Sequence, residues 1–244
     1  MPRPEEPSLA APSSMTPPQP ASVHGGHRDR LRERFRQHGL DNFDDHTVLE
    51  LLLFHAIPRR DTNEIAHALM SSFGTLAEVF DAPYEELLKV QGVGETAALL
   101  IKLIPQAARR YQISRTGVTA ILNSSRRAGE FLLPYFFSEQ DEVVYLVCLD
   151  AKCKVLGCKR LFRGGVNSAT VNTRKIVETA LAFNATSVIL AHNHTSGIAL
   201  PSPEDKVTTQ RIMEALSSVD IVLAYHIIVA DGDFISFSDN GFFK

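Results

Sequence analysis

Cysteine is scarce in this sequence, and it has neither a membrane-length apolar run nor a strong net charge. The three cysteines, Cys148, Cys153 and Cys158, match neither a disulfide framework nor the usual short spacing of zinc ligands. No stretch is long and apolar enough to cross a membrane, and the formal net charge is −3. These absences argue against a disulfide-rich secreted protein, a membrane protein and an obvious polyanion binder. They predict a protein of a reducing, cytoplasmic setting.

The N-terminal segment is rich in proline and poor in large side chains. Seven of the 13 prolines lie before residue 26. Proline fixes φ and removes a hydrogen-bond donor, and the segment offers little apolar surface to bury. It also lacks the apolar core that a signal peptide needs. We therefore expect residues 1–26 to form a disordered tail.

Residues 27–112 carry the apolar periodicity of helices and predict a small all-α domain. Within it, Pro105 predicts a kink or break in the last helix. The turn Gly92-Val93-Gly94 resembles a helix-hairpin-helix motif, because its glycines allow a tight turn and the following helix N-terminus could hold a phosphate. It predicts a weak DNA contact. Acidic residues slightly outnumber basic ones in this region, which favours a turn that only packs or binds protein.

The remaining chain, residues 113–244, predicts an α/β domain with the element order β-β-α-β-α-β-β. The first two strands read as a hairpin joined at Ala151–Cys153. The wholly apolar run 187–191 predicts a buried central strand, and a helix from Pro203 to Ser217 follows it. The predicted fold class is therefore a mixed sheet flanked by helices, preceded by the small helical domain.

Two histidines follow the predicted central strand and carry the chemistry of this half. Side chains at i and i+2 of a strand share one side, so His192 and His194 can face a common point. Asp205, in the first turn of the next helix, can add a carboxylate. Three such ligands leave a fourth tetrahedral position open for water, as in catalytic zinc sites. Helix capping alone also accounts for Ser202 and Asp205, but not for the paired histidines.

The pattern H-x-H-x7-S-x2-D resembles the JAMM motif of the MPN-type metalloprotease superfamily. Within it, the segments HNHTSG and PSPED resemble the RadC (UPF0758) family, and the likeness covers about residues 28–244. Thr195, Leu200 and Tyr225 differ from the residues usual in that family. None of the three is a proposed ligand, so the differences bear on substrate specificity more than on metal binding.

The resemblance implies a zinc-dependent hydrolase of metallopeptidase or isopeptidase type, acting on a peptide or protein. It implies Zn²⁺ at His192, His194 and Asp205, with Glu142 as general base on the zinc-bound water. It also implies that Ser202 donates a hydrogen bond to that water or to the oxyanion. Two alternatives are a non-catalytic DNA-associated or protein-interaction module with a structural metal site, and a metal-dependent nuclease. A single His/His/Asp metal favours amide hydrolysis, because phosphodiester cleavage more often uses paired metals.

Overall fold

The computed structural model describes residues 23–116, 120–164, 172–239 and 241. Residues 1–22 of the predicted tail lie outside this range, and the first helix begins shortly before the predicted boundary at residue 26. The helices of the first half are α1 (Val23–His38), α2 (Asp45–Leu53), α3 (Asn63–Phe73), α4 (Leu76–Asp81), α5 (Tyr84–Leu87) and α6 (Glu95–Arg115). The helical N-terminal region is as the sequence predicts.

Helix α6 runs without interruption through Pro105, so the predicted break is wrong. Proline removes one intrahelical hydrogen bond, but the rest of the helix is held by burial. Ala97, Ala98, Ile101 and Pro105 form its buried side. The first three of these belong to an apolar cluster to which α2, α3, α4 and α5 also contribute. Packing of this side therefore outweighs the local preference of proline.

Helix α7 (Ser125–Phe136) precedes the sheet and has no counterpart among the predicted elements. Gly129 and Pro134 lie inside it, and both weaken a helical pattern in a single sequence. The tertiary structure requires the glycine, because a Cβ atom built there would lie 2.0 Å from the ring of Phe234. Close packing on the sheet, with Leu132 fully buried, stabilises this helix.

The second half contains a five-stranded mixed sheet, and from its first strand onward the elements follow the predicted order. Its elements are β1 (Val143–Leu149), β2 (Val155–Arg163), α8 (Thr173–Ala182), β3 (Ser187–Asn193), α9 (Pro203–Ser217), β4 (Val222–Ala230) and β5 (Asp233–Ser236). The strands lie in the order β2-β1-β3-β4-β5. Only the β3–β4 pair is parallel among these described strands. The predicted hairpin, central strand and helix α9 are confirmed.

Helices cover both faces of the sheet and create two apolar cores. Helix α7 packs on one face, where Ile189 and Ala191 of β3 are buried. Helices α8 and α9 contribute to the core on the other face, where Val188 and Leu190 are buried. Because side chains alternate along a strand, His192 continues the second set and faces the α9 side. This alternation positions the metal-ligand candidates.

No helix in the described ranges combines the length and the apolar character needed to span a bilayer. The three cysteines are free thiols, one buried and two half-buried.

Candidate metal centre

The candidate ligands come from the end of β3 and the start of α9. Strand β3 extends two residues beyond the predicted end, because His192 still pairs with Val144 of β1 and Ile228 of β4. His194 follows directly, and its backbone N–H donates to the Val229 carbonyl at 2.9 Å. The backbone is therefore held in position through both histidines.

Asp205 is held by the capping of α9. Ser202 is the N-cap residue, and its Oγ accepts a hydrogen bond from the Asp205 backbone N–H at 3.0 Å. In return, Asp205 Oδ2 accepts from the Ser202 backbone N–H at 2.9 Å and from its hydroxyl at 2.7 Å. This capping box confirms the predicted helix start. It also commits the Ser202 proton to Asp205, and the catalytic role of Ser202 stays a prediction.

The three candidate ligands meet at one point. His192 Nε2 lies 3.0 Å from His194 Nε2 and 3.3 Å from Asp205 Oδ1, and His194 Nε2 lies 3.3 Å from Asp205 Oδ2. Zinc bonds of about 2.0–2.1 Å in a tetrahedron separate neighbouring ligand atoms by about 3.3–3.4 Å. The two histidine nitrogens lie slightly closer than that, and the two contacts with Asp205 use different carboxylate oxygens, so the three side chains are near a tetrahedral arrangement rather than in one. These residues could therefore hold a metal ion, as the predicted constellation requires.

Hydrogen bonds leave the Nε2 atom of His194 available as a ligand. Its Nδ1 lies 3.2 Å from the Ile198 carbonyl oxygen, which can only accept. Nδ1 therefore carries the proton of the neutral ring, and Nε2 presents a lone pair to the site. A cation between two such lone pairs would relieve their repulsion.

A buried chain of hydrogen bonds behind His192 shows which ring nitrogen of His192 carries the proton. The chain runs through Thr209 and His226, two residues that no sequence motif singled out. The Thr209 hydroxyl donates to the Asp205 carbonyl at 2.5 Å, so its oxygen accepts from His226 Nδ1 at 2.7 Å. His226 Nε2 then accepts from His192 Nδ1 at 2.9 Å. This order leaves His192 Nε2 without a proton and directed at the site.

Burial and charge describe the alternative state of the centre, in which protons occupy the ligand nitrogens. Burial alone would raise the pKa of Asp205, but His192 and His194, whose rings donate to this carboxylate when their Nε2 atoms carry protons, outweigh burial and hold that pKa well below its usual range. The same contact with Asp205 raises the pKa of His194. Complete burial, reinforced by His192, lowers the pKa of His226 well below its ordinary value, so its ring is neutral. A metal and a proton would compete for the ligand nitrogens.

Glu142 directly precedes β1, and Asn193 holds the backbone on both sides of it. The Val143 N–H donates to Asn193 Oδ1 at 2.7 Å, and Asn193 Nδ2 donates to the Asp141 carbonyl at 3.0 Å. The antiparallel register of β1 and β3 places Val144 opposite His192, and extending it by two residues would bring Glu142 opposite His194. The half-buried Glu142 carboxylate also contributes to the raised pKa of His194. Its role as general base stays a prediction.

A cleft of about 940 Å³ on the side of α7 borders the metal centre at His194, whereas His192, Asp205 and Glu142 are not among its described lining residues. His194 and Thr195 line it together with aromatic side chains from the end of α7, such as Phe136 and Phe137. His192 is 8% exposed, whereas His194 and Asp205 are 17% and 15% exposed. The centre is therefore open on one side.

The turn Gly92–Gly94 belongs to the helical half and is not among the described residues that line this cleft. Gly92 has φ +91°, and a Cβ atom there would lie 2.8 Å from Ile65, so the turn requires glycine. Arg60 and Glu95 line a pocket of about 380 Å³ beside it, one of each charge. The predicted DNA contact stays a prediction.

The sheet with α7, α8 and α9 around it, and the His/His/Asp group at the end of β3, define a JAB/MPN-type domain. Comparison with protein-family models agrees. A model described as RadC-like JAB domain matches residues 122–242, and one described as UPF0758 N-terminal matches residues 26–99. The chain belongs to the RadC (UPF0758) family, as the motif resemblance indicated.

Proposed function

We propose that this protein is a zinc-dependent hydrolase of metallopeptidase or isopeptidase type. The observation that carries the proposal is the convergence of His192 Nε2, His194 Nε2 and the Asp205 carboxylate, with 3.0–3.3 Å between neighbouring atoms, beside a cleft that His194 lines. Two imidazoles and one carboxylate leave a coordination position for water, as catalytic zinc sites do and closed structural sites do not. The partial exposure of His194 and Asp205 favours this function over a purely structural metal site.

A zinc ion held there would supply Lewis acidity, which lowers the pKa of water to about 7 and polarises a carbonyl group. The protein side chains would do the rest. Glu142 would accept a proton from the attacking water and pass it to the leaving amine, since a carboxylate within reach can act in both directions. Ser202 would fix the Asp205 carboxylate and could donate to the oxyanion only by releasing its present hydrogen bond.

The proposed substrate is a peptide or protein, because the cleft is large and partly apolar. The cleft volume of about 940 Å³ leaves room for a substrate much larger than water. Phe136 and Phe137 line the cleft and offer surface for the apolar side chains of such a substrate. Asn193 would keep the candidate base at the edge of this cleft through its bonds to the backbone around Glu142.

Metal analysis tests the site first. Purified full-length protein should contain about one zinc ion per chain, and His192→Ala and Asp205→Ala should each lose it. Glu204→Gln, at an exposed acid next to Asp205, is the matched control and should keep the metal. Retention of the metal by both ligand variants would exclude these residues as ligands.

Cleavage assays with a library of linear and lysine-linked isopeptides test the activity. Glu142→Gln should keep its zinc and lose cleavage, whereas Glu204→Gln should keep both. Undiminished cleavage in Glu142→Gln would remove this residue from the mechanism. Metal bound with no cleavage in the wild type would favour the alternative, a non-catalytic module with a structural metal.

The proposed DNA contact at the Gly92–Gly94 turn is weak and separate from the hydrolase site. A gel-shift of the full chain at several salt concentrations tests it, with Gly94→Asp as the variant, because an added acid at a helix N-terminus repels phosphate. Equal shifts for both proteins would exclude the turn. The cytoplasmic location rests on the sequence alone.

A further inference from the structure

A second recess lies where α6 and α7 meet β1 and β2, and its charge differs from that of the chain. It has a volume of about 570 Å³, and we name it the arginine pocket after Arg109, Arg110, Arg160 and Arg163, which line it. Glu139 is the one carboxylate among its described lining residues. The pocket is thus strongly positive, although the whole chain carries a formal net charge of −3.

Arg109 lies deepest and is incompletely partnered. Its side chain is 12% exposed. One terminal nitrogen pairs with Glu139 Oε1, and the other donates to the Tyr145 hydroxyl at 2.5 Å. Its Nε is buried and has no hydrogen-bond partner within the described part of the chain. A buried guanidinium with an unused donor is costly unless negative charge lies nearby.

The available carboxylates do not compensate the arginines. Glu139 is 3% exposed and is shared, because Arg160 also contacts its Oε1 at 3.3 Å. Arg163 pairs with Asp141 at 3.0 Å, but both side chains are more than half exposed and water screens that pair. Arg110 is exposed and has no ion-pair partner among the residues described. The repulsion between these cations would be relieved by an anion in the pocket.

The pocket also supplies a neutral hydrogen-bond donor, the Tyr145 hydroxyl. The Tyr145 hydroxyl accepts from Arg109 and therefore keeps its own proton to donate. Burial raises the pKa of Tyr145, and burial also raises the pKa of Tyr135. Both phenols consequently stay protonated, but the Tyr135 hydroxyl already bonds to Cys158 and Thr116, so the available donor is Tyr145. Planar guanidinium groups beside a hydroxyl donor match the oxygens of a phosphate group.

We propose that the arginine pocket binds the phosphate group of a small phosphorylated molecule of nucleotide size. A recess with a deep arginine fits a compact ligand, whereas a nucleic-acid strand is bound by a basic stripe along a face. Its volume lies in the usual range for small-molecule sites. The site is independent of the proposed metal chemistry, although Glu139 lines both this pocket and the cleft at His194.

Calorimetric titration of the full-length protein with pyrophosphate and adenosine monophosphate, at low salt, tests the proposal. Arg110→Gln and Arg160→Gln should each weaken binding about tenfold or more, since a hydrogen bond to a charged group commonly contributes that much. Arg110 is exposed, so its substitution leaves the fold intact. Arg211→Gln is the matched control: it removes an equally exposed arginine from α9, on the other face of the sheet, and should bind as the wild type does.

A bound metal would itself attract phosphate, so each titration is repeated with His194→Ala. Binding that survives this substitution and is weakened by Arg110→Gln supports the arginine pocket. Binding that disappears with His194→Ala overturns the proposal, and so does equal affinity of Arg110→Gln, Arg160→Gln and Arg211→Gln. Binding of a short single-stranded oligonucleotide without binding of either small phosphate would also overturn it.

Discussion

The hydrogen-bond chain behind His192 makes a specific prediction about metal affinity. In Thr209→Val the side chain keeps its shape but loses the oxygen that accepts from His226 Nδ1 at 2.7 Å. His226 is buried and neutral, so water cannot replace that acceptor. The ring then either leaves Nδ1–H unpaired or moves its proton to Nε2, which faces His192 Nδ1 at 2.9 Å.

Either response weakens metal binding. If the His226 proton moves to Nε2, His192 must carry its own proton on Nε2, and the ligand lone pair is lost. If it does not move, the bound form keeps a buried unpaired donor, which costs about 1–3 kcal/mol. The metal-free protein can avoid that cost by changing the tautomer of His226, whereas the zinc-bound protein cannot. The cost therefore lowers the zinc affinity. We expect zinc affinity to fall about 10–100-fold, as for other residues that orient metal ligands.

Competition of zinc between the protein and a chromophoric chelator measures this effect, and nitrogen NMR of the imidazoles reports the tautomers. Thr209→Ser keeps a hydroxyl and should restore most of the affinity. Thr208→Val is the matched control, a neighbouring buried threonine outside this chain of hydrogen bonds. If Thr209→Val and Thr208→Val bind zinc equally well, the proton assignment around His192 is refuted.

Three other changes test the site and the fold. Asn193→Ala should accelerate amide exchange of Val143 and leave metal content unchanged, because it removes the acceptor of that N–H; unchanged protection would contradict this. As the pH is lowered, the apparent zinc affinity should begin to fall at a pH above about 6.5, because protons compete with zinc at His194, whose pKa is raised. An affinity that stays constant between about pH 8 and about pH 6 would exclude this competition. Gly129→Ala should lower the free energy of unfolding by about 1–3 kcal/mol in a denaturant titration, because its Cβ meets Phe234; unaltered stability would show that the helix moves freely.

The local elements of the sheet domain were predictable because each has a local cause. Alternation along a strand directs His192 and His194 to one side, and the capping sequence from Ser202 to Asp205 begins α9 wherever that helix packs. The likeness to the RadC family pointed to the same residues. The ligand set therefore needed only short-range information and a motif.

Other features contradict or exceed local preference. Pro105 and Pro134 lie inside helices, and α7 is a helix although its sequence signals one poorly. Burial against neighbouring elements outweighs intrinsic propensity in each case. The sequence did contain signals for the two partner residues. His226 is a histidine inside the apolar run of β4, and Thr209 lies four residues after Asp205. Without the register of β4 beside β3, nothing connected them.

The sequence by itself determined the order of the elements from β1 to β5, the family and the three ligand candidates, because periodicity and capping act within a few residues. Only the tertiary structure decided which partners surround them. Asn193 meets Val143 across 50 residues of chain, and His192 meets His226 across 34. Arg109 meets Tyr145 across 36. Such meetings depend on strand register and on the packing of α6, α7 and α9 against the sheet, which no local pattern encodes.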